Sequence, residues 1–326
     1  MRKKLSIIVP RFEEKENDIM PLLCSIRSQE GFDFERLEVV ISNDNPEEEF
    51  QIKNALALGL DIKVINISNG GGPGVARQCG LAEASGEYVM FCDADDCLYN
   101  ANAIYSLMNN FREFPDTEIL YSSWMEEVLH KSSNTMAFIK HEIENTWMHG
   151  KVFRMGFLED NRIAFHPDLR VHEDSYFMAV ASRLAAKRRF LTEPCTYLWK
   201  WGNDSITRRN DGIYAYETFP TFIRAIGFAN KEIMRRIPET DMSYEVAQHL
   251  IYCYFTLQEI GWLDESKREF REQSFTALKE EMAPLWDIYN STPEEMITAI
   301  YNEEREKSFS GSVERYSLND FIKSLE

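Results

Sequence analysis

Four short apolar runs alternate with helix-patterned segments over the first 92 residues, and that alternation limits the fold more than any other feature. The runs are Leu5–Val9, Leu37–Ser42, Ile62–Ile67 and Glu87–Cys92. The first is rich in β-branched residues and ends at Pro10, as a buried strand does. Between the first two runs, Asp18 to Gln29 places Ile19, Leu22, Leu23 and Ile26 at helical spacing. Val75 to Ala84 reads as a second helix, with Pro73 tolerated in its first turn because a missing N–H does no harm there. Strands alternating with helices predict parallel βαβ units and a doubly wound sheet over roughly the first 125 residues.

Beyond that point the pattern changes. Residues 126 to 213 mix short strands, helices and loops, and from Tyr214 onward the spacing is helical. Val246, Leu250, Tyr254, Leu257 and Ile260 recur at close to 3.6 residues within Ser243 to Trp262. Ser291-Thr292-Pro293-Glu294-Glu295 combines a cap, a proline and an acidic first turn, and Ser317 before Leu318 and Asp320 is a second such start. The expected division is a domain at 1–213 and an α-helical region at 214–326. Tyr252, Tyr254, Phe255 and Trp262 in that region suit acceptor docking, a homodimer contact or a plain core.

The charge balance narrows the partners. A net charge of −18 over 326 residues repels phosphates and disfavours non-specific binding to nucleic acid or anionic lipid. The basic clusters Lys187-Arg188-Arg189, Arg208-Arg209 and Arg235-Arg236 read as solvated faces. No window approaches the ~20 apolar residues of a transmembrane helix, and the basic start Met1-Arg2-Lys3-Lys4 lacks the apolar core of a signal peptide. The six cysteines form no CxxC pair, and Cys24, Cys79 and Cys92 read as buried thiols in apolar segments. A reduced, cytoplasmic setting is expected.

Asp93-Ala94-Asp95-Asp96 closes the fourth apolar run. Carboxylates crowded at the end of a buried strand repel one another and lose water. A divalent cation such as Mg²⁺ or Mn²⁺ relieves both costs, often by bridging carboxylates to a substrate diphosphate. The carboxyl edge of an open α/β sheet is also where ligands bind. The competing reading is an acidic turn, with Asp96 capping a helix from Leu98 to Leu107. The loop Asn69-Gly70-Gly71-Gly72-Pro73-Gly74 satisfies neither GxGxxG nor a P-loop. It is a glycine-rich bend into a helix N-terminus followed by Arg77, able to present backbone N–H groups and a guanidinium to a ligand.

Together these stretches resemble the inverting family 2 glycosyltransferases. Leu5-Ser6-Ile7-Ile8-Val9-Pro10 is similar to that family's opening strand, and Val39-Val40-Ile41-Ser42-Asn43-Asp44 to its second strand. Asn69, Gly72, Gly74, Ala76-Arg77, Gly80-Leu81, Ala84, Gly86-Glu87-Tyr88 and Asp93-Ala94-Asp95-Asp96 resemble the loop, helix, strand and DxD run. Lys151-Val152-Phe153-Arg154, His172-Glu173-Asp174, Tyr197-Leu198-Trp199-Lys200 and Ser205-Ile206-Thr207 are similar to later motifs. The similarity covers about residues 1 to 210. Two stretches depart from it. Pro10-Arg11-Phe12-Glu13 stands where Pro-x-Tyr-Asn is usual, and Asn43-Asp44-Asn45-Pro46 where Asp-Asp-Gly-Ser is usual.

The resemblance implies a GT-A fold: a Rossmann-like, mainly parallel mixed sheet with flanking helices, here followed by the helical appendage. It implies transfer of a sugar from a nucleotide-diphosphate sugar, a UDP-sugar, to a hydroxyl-bearing acceptor with inversion. Pro10, Phe12, Glu13, Asp44, Gly72, Arg77, Asp93, Ala94, Asp95 and Lys200 are the implied donor contacts. Asp95, Asp93 and Asp96 would hold Mn²⁺ or Mg²⁺, and Asp174, with Glu173 second, would be the general base. Arg77 has the alternative of a structural ion pair with Asp93, and Glu173-Asp174 that of favouring a helix N-terminus. Trp199 and Trp201 flank Lys200 as a sugar- or acceptor-facing platform or as packing. His166 and His172 fit no zinc spacing. The acceptor is open between a polysaccharide, a lipid-linked sugar, a protein and modified DNA, the last disfavoured by charge. A nucleotidyltransferase and a non-catalytic nucleotide-sugar-binding module are the alternatives.

Overall fold

The computed structural model describes residues 3–130, 132–142, 146–202, 213–259, 267–307 and 316–325. The chain divides into two compact units, residues 1–203 and 204–326. The Ser205-Ile206-Thr207 segment, Arg208-Arg209 and Trp262 lie outside the described residues.

In the first unit a seven-stranded sheet runs in the order β10-β6-β9-β4-β1-β2-β3. β1 (Leu5–Arg11) pairs in parallel with β2 (Leu37–Asn43) on one side and β4 (Tyr88–Phe91) on the other, and β3 (Ile62–Asn66) extends the β2 side. β9 (Lys151–Arg154) is antiparallel to both β4 and β6 (Ile119–Ser122), and β10 (Arg188–Leu191) pairs in parallel with β6. The sheet is therefore mixed and mainly parallel. Strand order reverses between β1 and β4, and a crevice opens at such a switch point outside the carboxyl ends of the strands.

The central strands are apolar on both faces because both are covered. Leu5, Ile7, Val9, Val39, Ile41, Tyr88 and Met90 enter one core, while Ile8, Val40, Val89 and Phe91 enter the other. Alternate residues of each run are thereby divided between the two faces, which is why the runs are continuously apolar.

Helix α1 (Glu16–Arg27) buries Ile19, Leu22, Leu23 and Ile26. Cys24 falls on the outer side of that stripe and is exposed, and Cys79 is half-buried, so of the three expected buried thiols Cys92 alone is buried. Helix α2 (Pro73–Glu83) begins at Pro73, two residues before the expected Val75. Its N-cap, Gly72, has φ 94°, a conformation that costs little only for glycine.

The helix considered for Leu98 to Leu107 does not form over that span. Cys97–Leu98 is instead a short strand, β5, antiparallel to β11 (Tyr197–Trp199), and the helix, α3, is Ala103–Glu113. The Leu98 N–H donates to Ser25 Oγ, and Asn100 Oδ1 with Gln29 Oε1 takes the N–H groups of Asn102 and Ile104. The orphan donors of the helix start are thus met further along. A second sheet, β5-β11-β7-β8, is completed by the hairpin β7 (Trp124–His130) and β8 (Thr135–His141). Helix α4 (Met155–Asp160) follows β9, and α5 (Glu173–Leu184) begins at the acidic pair.

The second unit is helical: α6 (Ile213–Arg236), α7 (Ser243–Glu259), α8 (Arg268–Met282), α9 (Trp286–Ser291), α10 (Glu294–Lys307) and α11 (Leu318–Leu325). Val246, Leu250, Tyr254 and Leu257 are buried along α7, whereas Tyr252 is exposed. Ser317 Oγ accepts the Asp320 N–H at 3.1 Å and donates to the Asp320 carboxylate, capping α11 as its sequence predicts. Among the described residues, no helix is long and apolar enough to cross a membrane.

Candidate active site

Strands β1, β2 and β4 deliver their carboxyl ends to one edge of the sheet, and the acidic run follows β4 there. Asp93 is half-buried, Ala94 and Asp96 are buried, and Asp95 is exposed. Helix α2 brings Arg77 beneath this run. The buried guanidinium forks, with Nη2 donating to Asp93 Oδ1 at 2.7 Å and Nη1 donating to Glu173 Oε1 at 2.5 Å. One arginine thereby joins the acidic run to the acidic pair at the start of α5. The alternative of an ion pair with Asp93 is what the geometry shows, extended to a second carboxylate.

The close approach of α2 and α5 requires Gly74. A Cβ there would lie 2.9 Å from Glu173 Cγ and 3.0 Å from its Cβ. Next to Glu173, His172 takes a left-handed backbone, φ 58°, a region sparsely populated by residues other than glycine. Asp174 is half-buried and accepts the Ser175 N–H at 2.8 Å. Of the acidic pair, Glu173 is spent on Arg77 and Asp174 is the more accessible.

Asp96 is held from the second sheet. Tyr197 Oη donates to Asp96 Oδ2 and accepts the Asp93 N–H, and the Lys200 N–H donates to Asp96 Oδ1 at 2.9 Å. The half-buried Lys200 follows β11, and its ammonium charge opposes only a small part of the rise of the Asp95 carboxyl.

Several proton affinities are displaced in this crowd. Burial, then Asp174, lifts Glu173 to about 7 against the pull of Arg77. Asp174 is raised by burial, and Asp95 is raised to about 6 by loss of water and the charge of Asp93. Asp96 is pushed well up by burial and by Asp93 and Asp95. Asp93 falls because Arg77 outweighs its burial. Carboxyls raised together mark a site with surplus negative charge.

At the ends of β1 and β2 the geometry departs from expectation. The Asp44 carboxylate accepts N–H groups from Gly71 at 2.9 Å and from Gly72 at 2.6 Å. The glycine-rich loop therefore directs these two donors to Asp44 rather than to a ligand, and Arg77 is likewise engaged within the protein. Arg11, read from sequence only as a departure, is a buried strut: it donates to Asn43 Oδ1 at 2.6 Å and to Glu48 at 2.8 Å, and stacks over Phe50. Pro10 is half-buried, while Phe12, 50% exposed, and Glu13 face solvent beyond β1.

Residues 6–165 match the model of Glycosyl transferase family 2. The first unit is a glycosyl transferase family 2 unit over those residues. Poly(ribitol-phosphate) beta-N-acetylglucosaminyltransferase TarS of Staphylococcus aureus is 28% identical over 203 residues, 60% of this chain and 35% of that protein. GalNAc(5)-diNAcBac-PP-undecaprenol beta-1,3-glucosyltransferase of Campylobacter jejuni is 34% identical over 113 residues, 34% of this chain and 35% of that protein. The chain spans about a third of the length of these curated relatives. The crystal structure of residues 1–349 of TarS in complex with UDP-GlcNAc superposes with a TM-score of 0.64 at 20% identity, covering 94% of this chain and 93% of that one. This likeness shows the fold, that of the GT-A glycosyltransferases.

The donor atoms of the family 2 unit fit a hard divalent cation: carboxylate oxygens concentrated at Asp93, Asp95 and Asp96, with their charge only partly met by Arg77 and Lys200. Two residues beside them were not singled out from sequence as site residues. Tyr197 was visible only as the start of a motif segment. His149 lies 53 residues or more from the acidic run, and no spacing links the two. Its ring is buried, held neutral by desolvation that pushes it down to about 3, and offers a ligand atom within 4.8 Å of those of Asp93 and Asp96. His166 and His172 belong to no such group among the described residues.

Proposed function

We propose that this protein is an inverting, metal-dependent glycosyltransferase that moves a sugar from a UDP-sugar to a hydroxyl acceptor. The observation that carries this reading is the Arg77 fork, which joins the acidic run after β4 to the acidic pair of α5. Donor-binding and proton-accepting groups are thereby assigned to one cleft. TarS, which has the same fold, is known in complex with UDP-GlcNAc, and that supports the choice of nucleotide.

When bound, Mn²⁺ or Mg²⁺ at Asp95, with Asp93 and Asp96, supplies Lewis-acid stabilisation of the diphosphate leaving group. Lys200 adds positive charge beside Asp95. Phe12 offers an exposed aromatic face to the base, with Pro10 and Glu13 beside it. Asp174 accepts the proton of the acceptor hydroxyl as that oxygen attacks the sugar carbon opposite the leaving group. Its raised proton affinity suits a base better than an ordinary aspartate would. Arg77, anchored on Glu173, offsets part of the charge of Asp174, and the Ser175 N–H holds its carboxylate. Asp44 and Gly72 act one step back, by fixing the loop that positions α2.

A cytoplasmic setting completes the reading, supported by six free thiols. The helical region is assigned to acceptor docking or to a homodimer contact, with the exposed Tyr244 and Tyr252 as the residues to mutate. The direct test is a thermal-shift panel of sugar nucleotides with and without Mn²⁺. A ligand that binds the native state raises the melting temperature by mass action. The expected result is stabilisation by a UDP-sugar that requires the cation. Equal stabilisation by every nucleotide, or none by any, would refute the reading.

A further inference from the structure

Burial leaves His149 in an unusual position. It is 6% exposed, and among the described residues its Nδ1 finds no hydrogen-bond partner. A buried polar atom without a partner costs roughly 1–3 kcal/mol, and in a native protein such an atom calls for an explanation. Aromatic rings pack around it. Tyr197 stacks on His149 at 4.9 Å and 23°, and Trp147 stacks at 5.7 Å and 20°. Trp124 adds an edge contact at 4.8 Å and 66°. Stacking contacts of this kind engage the ring through its face, whereas the unpartnered Nδ1 lies on its edge, where a neutral imidazole carries one nitrogen lone pair open to a ligand.

That edge is beside carboxylates. Ligand atoms of His149, Asp93 and Asp96 lie within 4.8 Å of one another. Two ligands at ~2.1–2.2 Å from one octahedral ion are about 3 Å apart when adjacent and a little over 4 Å apart when opposite, so a small adjustment closes the group around a cation. Arg77 occupies Oδ1 of Asp93 and leaves Oδ2, and each Asp96 oxygen accepts one hydrogen bond and keeps a lone pair. Tyr197 fixes the arrangement from below, since the residue whose ring stacks on His149 also hydrogen-bonds both aspartates.

We infer that His149 supplies a nitrogen ligand to the cation held at the acidic run, and that this ligand makes the site favour Mn²⁺ over Mg²⁺. Imidazole suits the transition metals, whereas Mg²⁺ keeps to oxygen and water. The inference rests on the metal-dependent reading above and adds the ligand that sets its choice of metal.

The test is pulsed electron paramagnetic resonance of the full chain loaded with Mn²⁺ alone and with Mn²⁺ plus UDP. Wild-type protein is expected to show ¹⁴N modulation on bound Mn²⁺, replaced by the ¹⁵N pattern when histidine is ¹⁵N-labelled. This arm needs no substitution, so a folding defect cannot obscure it. In H149Q the nitrogen signal is expected to vanish and Mn²⁺ affinity to fall by about tenfold or more, with Mg²⁺ affinity little changed. Bound Mn²⁺ without nitrogen coupling, or coupling that survives in H149Q, overturns the inference. If Mn²⁺ still promotes UDP binding in that case, the transferase reading stands and the role of His149 alone falls. If Mn²⁺ neither binds nor promotes UDP binding, both fall.

Discussion

In the N-terminal unit, buried Arg77 meets carboxylates 16 and 96 residues away in sequence, and further acids stand beside them. In the helical unit, buried Glu281 of α8 meets Lys231 of α6 at 2.7 Å, and buried His249 of α7 finds no hydrogen-bond partner among the described residues for either ring nitrogen. The first arrangement leaves surplus negative charge at the carboxyl edge of the sheet, and the proton affinities of Asp95, Asp96, Glu173 and Asp174 rise in response. The second is either balanced pair by pair or kept neutral. Buried ionic groups contribute little net stability, so a surplus held in place by a forked arginine points to a ligand. A balanced pair between helices points only to packing.

The contrast breaks most sharply at Arg77. Arg77→Met leaves buried Glu173 and half-buried Asp93 without their counter-charge, and stability should fall by about 3–5 kcal/mol, with turnover lost as well. Urea unfolding followed by hydrogen exchange should place that loss in peptides of residues 3–202. Lysine at this position should not rescue, because one ammonium cannot reproduce the planar fork. A loss no larger than that of an exposed arginine would erase the distinction between the two regions.

The next effect lies in the helical unit and depends on pH. Burial pushes His249 down to about 4 from an ordinary value of 6.5. Below pH 6.5 the unfolded chain takes up a proton that the folded ring refuses, so stability is complete above 6.5 and is lost as the pH falls toward 4. The loss is about 3 kcal/mol at 1.36 kcal/mol per unit. His249→Phe should remove this dependence, read by denaturant melts at pH 7 and pH 4.5. An unchanged slope would mean that the ring is hydrated or paired.

Gly74→Ala should have the smallest effect, about 1–2 kcal/mol as for mild overpacking. The new methyl group displaces Glu173, and turnover should fall further than stability alone explains. Full activity in G74A would show that the contact between α2 and α5 does not position the site.

Much of this was legible in the sequence, for identifiable reasons. β1 to β4 showed as short apolar runs because the central strands are covered on both faces and so are apolar on both. The acidic run was visible because like charges at a strand end need an external remedy. What remained hidden depends on tertiary approach. Asp44 clasping the N–H groups of Gly71 and Gly72 cannot be read from two segments 27 residues apart, and a two-residue strand such as β5 leaves no periodic signal. Cys24 was misjudged because an apolar neighbourhood was read without helical phase. Nothing in the spacing of His149 marks a ligand, and only the fold brings its ring beside Asp93 and Asp96.

The division of labour between the two acidic stretches is tested most directly by measuring donor binding and donor turnover separately in D95N and D174N. With Mn²⁺ present, D95N should lose cation-dependent affinity for the UDP-sugar. D174N should bind the donor as wild type does and lose turnover by about 10²–10⁴-fold. Equal loss of binding in both variants, or turnover retained in D174N, would contradict the assignment of Asp95 to the donor and Asp174 to the proton.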